Sequence, residues 1–346
     1  HNILTTYHQN GHVEEELHCI GTTAQGAYRK WHPSGKLHVD AIVHGGPADV
    51  SPLAKKNWLF DGICNVYDEK ETLIAKISYE SGLLEGPSLY YNSDSTLKEK
   101  AHFKRGNIDG KREIFQKKGI VYQEELYFNG YQDGKSQGFF PNNKVAYTEI
   151  YNEGKLVSGT YYSPEGKLLS QIVKGKGERA FFHENYLEKT MTYENGIPEG
   201  LVKIFSEVGE LKQSYSEKEG KKTGEEISYY LESEGAAPLT KKLVIHWDED
   251  TIHGTVKTFY PNSKQESQKE FSRNQKNGMC FSWYENGDLM LLEEYEKNIL
   301  VKGSYYEKAS SDPISKVEKG TGAATLYDKE GTFTRKVRYK KGEPEE

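Results

Sequence analysis

Glycine recurs at Gly62, Gly86, Gly110 and Gly134, 24 residues apart each time. The series continues less evenly through Gly159, Gly177, Gly200, Gly224, Gly254, Gly278, Gly303 and Gly322, with Gly26 before it. This makes about 13 units in one continuous array over 1–346, with a further partial unit in 1–25. A period of this length marks a repeat architecture, in which a unit buries its apolar face only against its neighbours.

Three positions stand out, counted from each glycine. At position 5 lies an aromatic: Trp31, Tyr67, Tyr91, Phe115, Phe139, Phe182, Phe205, Tyr229, Phe259, Trp283 and Tyr327. Position 11 is apolar, as in Leu37, Leu73, Val121 and Leu289, and position 17 is again aromatic, as in Tyr79, Tyr127, Tyr151 and Tyr295. Turns such as "PSGK", "PNNK" and "ENGD" separate the first two positions, and "YESG" or "YNEG" follows the third. Such turns supply the positive φ that hairpins need. The runs between them are short and rich in Tyr, Phe, Val and Thr, so they read as strands, and the glycines leave no room for helices. Each unit is then one β-hairpin that opens at its glycine. Alternation predicts positions 11, 13, 15 and 17 on one face, with the position-5 aromatics forming the enclosed structural ladder.

The composition fits a thin sheet. Apolar residues are 35% of the chain, yet there are 25 tyrosines, against a usual apolar share of roughly 45–50%. Aromatic rings bury large areas per residue and can cover such a sheet. The 46 basic and 52 acidic residues alternate, giving −6, which argues against a nucleic-acid partner. Cys19, Cys64 and Cys280 have no paired spacing, which argues against a disulfide framework or structural zinc. No apolar run is long enough to span a membrane as a helix. The chain opens on His1, so it is expected to be a processed or trimmed product, with an exported or cell-surface location favoured over a cytoplasmic one.

The pattern of Gly-x4-aromatic, turn glycine, aliphatic and Tyr-x-x-Gly, as in "EGPSLYYNSDSTLKEKAHFKRG" (85–106), resembles the MORN repeat. It is more similar to the bacterial variant form found in YwqK-like, antitoxin-labelled repeat proteins. The resemblance covers nearly the whole chain, although the units at Gly159 and Gly303 are short. It implies an all-β fold, an elongated single-layer antiparallel sheet of tandem hairpins, serving as a binding scaffold.

Two units are stretched, with inserted loops at 45–57 and 232–241, and insertions in repeat arrays often meet partners. Aromatic doublets place a second ring at position 6, where Tyr230, Tyr260 and Tyr284 would form an exposed row on the reverse face, with Trp247 joining this candidate binding set. His8, His12, His18, His32, His38 and His44 crowd the N-terminal region. His38 and Asp40 share a strand face and are candidates for a metal or proton relay, but two ligands are too few for a site. No nucleophile elbow, phosphate loop or zinc-protease motif is present. The sequence therefore predicts a non-enzymatic bacterial scaffold without cofactor that binds another protein along a sheet face. Glycan or cell-envelope binding through the aromatic row is the alternative, and metal-dependent activity at the histidines is a third reading. Edge-strand self-association is a further expectation.

Overall fold

The computed structural model describes residues 1–116 and 119–345. It divides into two compact units, His1–Gly175 and Lys176–Glu346. Each is a single layer of antiparallel hairpins in which strands pair with their neighbours in the chain. Among the described residues, helix is confined to two short pieces, Pro52–Lys55 and the 3-10 turn Glu232–Glu234, both in the inserted loops. The segment 1–25 also holds a hairpin, Asn2–Tyr7 with Val13–Ile20.

Two turns alternate. Within a unit, Glu71 N–H donates to the Asp68 carbonyl and Asp68 N–H to the Thr72 carbonyl, both at 3.0 Å. Glu71 is left-handed at φ 65°, which makes a type I turn closed by a bulge. Between units, Ser81 and Gly82 take φ 49° and 84°, the type I′ pattern that matches strand twist. These second turns stack: Gly82 N–H donates to the Phe60 carbonyl, Gly106 to Leu84 and Gly130 to Ile108, at 2.8–2.9 Å. Carboxylates at the position before the repeat glycine add a second tie. Asp61, Asp109 and Asp133 accept from the N–H groups of Ser81, Asn129 and Glu153 at 3.0–3.2 Å.

The repeat glycine opens the strand, as its place in the sequence suggested, at Gly86 and Gly134, but not in most units. Elsewhere it lies inside, as Gly110 does in Asn107–Phe115 and Gly278 in Gln275–Trp283. Against the preceding strand it is a bulge: Ile108 faces Phe103, but Arg112 already faces Ala101. Gly110 holds φ 98° there, where a side chain would be strained. On its other side the glycine faces an aromatic, Gly110 with Tyr127 and Gly278 with Tyr295. The ring covers backbone that a side chain would otherwise shield.

Pairing also corrects the face assignment. Val66 pairs with Ala75, but Tyr67 pairs with Leu73, so Ile74 is an extra residue. That bulge interrupts the alternation. Position 11 lies with position 5 on one face, while positions 13, 15 and 17 lie with positions 2 and 4 on the other. The second face is the enclosed one. Cys64, Ser88, Ser136 and Cys280 at position 2 are buried, as are Ala101 and Glu149 at position 15.

A longer repeat, six hairpins in length, also runs through the array. Gly134 and Gly278 lie 144 residues apart, six times 24, and so do Glu149 and Glu293, Tyr151 and Tyr295, Gly159 and Gly303, Tyr161 and Tyr305. "LVSGTYY" (156–162) answers "LVKGSYY" (300–306). The same cluster recurs in both units. Tyr151 and Tyr161 donate to Glu149 at 2.9 and 2.7 Å, and Tyr295 and Tyr305 donate to Glu293 at 3.2 and 2.8 Å. The glutamate pairs directly with the glycine across the strands. Absence of a side chain at Gly159 and Gly303 is what admits the tyrosine ring, because a Cβ there would collide with it. The short hairpin is the last of the first unit, and in the second unit one more hairpin, Thr321–Tyr327 with Phe333–Lys340, follows it.

Candidate functional site

Two of the three residues of the expected exposed row are buried. Tyr260 is 3% exposed and Tyr284 is fully enclosed, while Tyr230 is half-buried. Each hydroxyl donates to a backbone carbonyl of the next hairpin: Tyr230 to Phe259 at 2.6 Å, Tyr260 to Trp283 at 2.7 Å and Tyr284 to Tyr306 at 2.7 Å. Position 6 is the first turn residue, where strand alternation no longer governs direction, so the ring folds inward. These tyrosines are latches between hairpins, and the route to glycans through an exposed row loses its residues.

The same latch uses histidine near the N-terminus. His8 Nε2 donates to the Trp31 carbonyl at 2.9 Å, and His32 Nε2 to that of Tyr67 at 3.1 Å. His38 stacks on His32 with ring centroids 4.2 Å apart, and burial, then His32 and Lys30, hold its pKa below the usual value. Asp40 pairs with Arg29 at 3.1 Å, so the structure does not join His38 and Asp40 in a site. No group of three metal-ligating side chains occurs among the described residues. Trp247, half-buried, donates its indole N–H to Glu226 at 2.8 Å, and Lys222 lies over its ring. Its role is also in packing.

What remains accessible is the position-5 row. Phe205, Tyr229, Phe259 and Trp283 are half-buried and occupy successive hairpins of the second unit. Trp283 pairs with Leu289 and stacks on Phe281, centroids 5.7 Å apart and planes at 9°. The ladder is therefore the outward row, opposite to the expectation. Rings on every second strand recur at about 10 Å.

The two insertions differ. Loop 45–57 is drawn into the sheet: Ala54 is buried, the following Trp58 is buried against Tyr28, and Lys55 Nζ bonds Glu15 at 2.5 and 2.7 Å. These partners hold the Glu15 carboxyl below its usual range although burial, the largest single influence, opposes this. The second insertion leans on the preceding hairpin, with Glu232 N–H donating to Glu210 at 2.7 Å. Tyr186, Phe205, Val208 and Leu231 line the groove that results. Sequence reading marked the insertion but missed these residues; the acidic tip "SEVGE" (206–210) was the available signal.

No protein-family pattern and no curated protein matches the chain. Among solved structures, the crystal structure of TcdB2-TccC3-TEV aligns with 97% of this chain and 21% of that one, at 12% identity and TM-score 0.20. A Photorhabdus luminescens Tc holotoxin pore aligns with 98% and 20%, at 8% identity and TM-score 0.16. This chain spans about a fifth of the length of those chains, and a likeness so slight carries no argument.

Proposed function

We propose that the chain is a non-enzymatic scaffold that binds another protein along the outward face of its hairpin array. The observation that carries this reading is the row Phe205, Tyr229, Phe259 and Trp283, half-buried and repeated on successive hairpins. A one-layer sheet exposes much surface per residue, and regularly spaced half-exposed rings offer anchors for extended recognition. The resemblance of the unit to MORN repeats supports the same reading.

The test is affinity capture with mass spectrometry, comparing the natural chain with Phe259→Ser/Phe281→Ser and with Lys297→Glu at an exposed turn. A protein enriched by the natural chain and the turn variant should fall roughly tenfold or more with the face variant. Circular dichroism would confirm that all three are folded. Equal enrichment by all three would remove the outward face from the reading.

A further inference from the structure

Three successive hairpin tips of the second unit meet at the groove beside the second insertion. Its volume is about 710 Å³, and its walls come from Tyr186, from Phe205 and Val208 of the next tip, and from Leu231 and Glu232 of the inserted loop. Val208 is 81% exposed, an apolar side chain held out at the rim.

The charges around this apolar floor are unbalanced. Glu184, Glu188 and Glu207 lie near the Tyr186 hydroxyl, which burial and then these three carboxylates push above its ordinary pKa. Neighbouring lysines are engaged elsewhere: Lys203 with Glu178 and Lys242 with Glu234. Lys189 lies over the Phe181 ring. Lys212 is the cation in the lining, against Glu207, Glu210 and Glu232. Such a surface repels polyanions, including nucleic acid and anionic glycans. It suits guanidinium groups, which stack on ring faces and bond carboxylates with a planar fork.

We propose that this groove takes an extended, arginine- and leucine-bearing segment of a partner protein. The arginines would meet Tyr186, Glu207 and Glu232, and the leucines Val208 and Leu231. This rests on the reading of the chain as a protein-binding scaffold, and it gives the chemistry of one contact. The corresponding hairpin of the first unit, at Gly86, lacks the insertion that forms one wall of the groove.

The experiment is a fluorescence-anisotropy titration of the full chain with a labelled eight-residue peptide of alternating arginine and leucine. The same peptide with citrulline for arginine is the neutral probe. Glu207→Gln/Glu232→Gln should weaken binding about tenfold, since two charge-assisted contacts are lost without a change of shape. Glu69→Gln/Glu71→Gln, which removes the same charge from an exposed turn of the first unit, should leave binding within about twofold. Tyr186→Ala should weaken binding as well, and the citrulline peptide should bind at least about tenfold less tightly. Equal weakening by both glutamine pairs, or absence of binding by the arginine peptide, would overturn the groove. Either result leaves capture through the outward face standing, and loss of that capture alone leaves the groove standing.

Discussion

Tyr284 has no exposed surface, and its hydroxyl donates to the carbonyl of Tyr306 at 2.7 Å, 22 residues along the chain. The bond spans two hairpins, so it ties the turn of one unit to the strand end of the next. Tyr284→Phe keeps the ring but leaves that carbonyl without this donor, and should cost about 1–2 kcal/mol of unfolding free energy in urea. Phe140, its counterpart 144 residues earlier, is 1% exposed without any hydroxyl. Phe140→Tyr is therefore expected not to stabilise the first unit unless the added hydroxyl finds an acceptor, which the same urea titration reads.

The carboxylate of Glu293 accepts from both Tyr295 and Tyr305. Tyr305→Phe should cost about 1.5–3 kcal/mol, because a bond to a charged group is lost in an enclosed setting. Glu293→Gln should be milder, since its amide oxygen still accepts one phenol. Double substitution to Gln and Phe should cost less than the sum of the single changes, as coupled neighbours do. A double-mutant cycle from chemical melts checks this.

Gly303 should not tolerate a methyl group. Its Cβ would meet the Tyr305 ring, so Gly303→Ala should cost about 1–3 kcal/mol by overpacking. Gly287, in a turn at φ 101° with open space around it, should suffer from conformational strain alone. Thermal melts of the two alanine variants would separate steric collision from backbone strain, with the larger loss at Gly303.

Stability should fall on the alkaline side. Burial, followed by nearby acidic groups and phenols, pushes Tyr260 and Tyr284 up to about 12, against about 10 for tyrosine in an unfolded chain. Between these values the native state holds protons that the unfolded state has released. The phenols' contribution is present in full below about pH 10 and is lost as pH rises toward 12. Urea midpoints measured from pH 9 to 11.5 should decline, and Tyr284→Phe should make the decline shallower by removing one shifted group.

The period, the hairpins and both turn classes were legible in the sequence because glycine and turn residues report local backbone demands. The faces were not. Ile74 and its counterparts enter as an extra residue against the partner strand, and only pairing reveals such a bulge. Extrapolating alternation across it put Leu73 with Ala75, when they lie on opposite faces. Tyr284 was misplaced for a related reason, since it stands one residue past its strand, where a turn sets its direction. The Glu293–Gly303–Tyr305 cluster needed knowledge of which strands touch. The groove at Leu231 was visible only as excess length, because a loop's length does not say which neighbour it leans on.

Trp283 and Tyr284 are adjacent, half-buried and enclosed respectively, and they decide the facing of the whole array. Unfolding free energies of Trp283→Ala and Tyr284→Ala, taken from urea melts under one set of conditions, test it most directly. Truncation of the enclosed tyrosine should cost about 3–5 kcal/mol, as for other buried aromatics. Truncation of the outward tryptophan should cost clearly less and leave the remaining hairpins folded. A larger loss for Trp283→Ala than for Tyr284→Ala would contradict the inward latch and the outward row together.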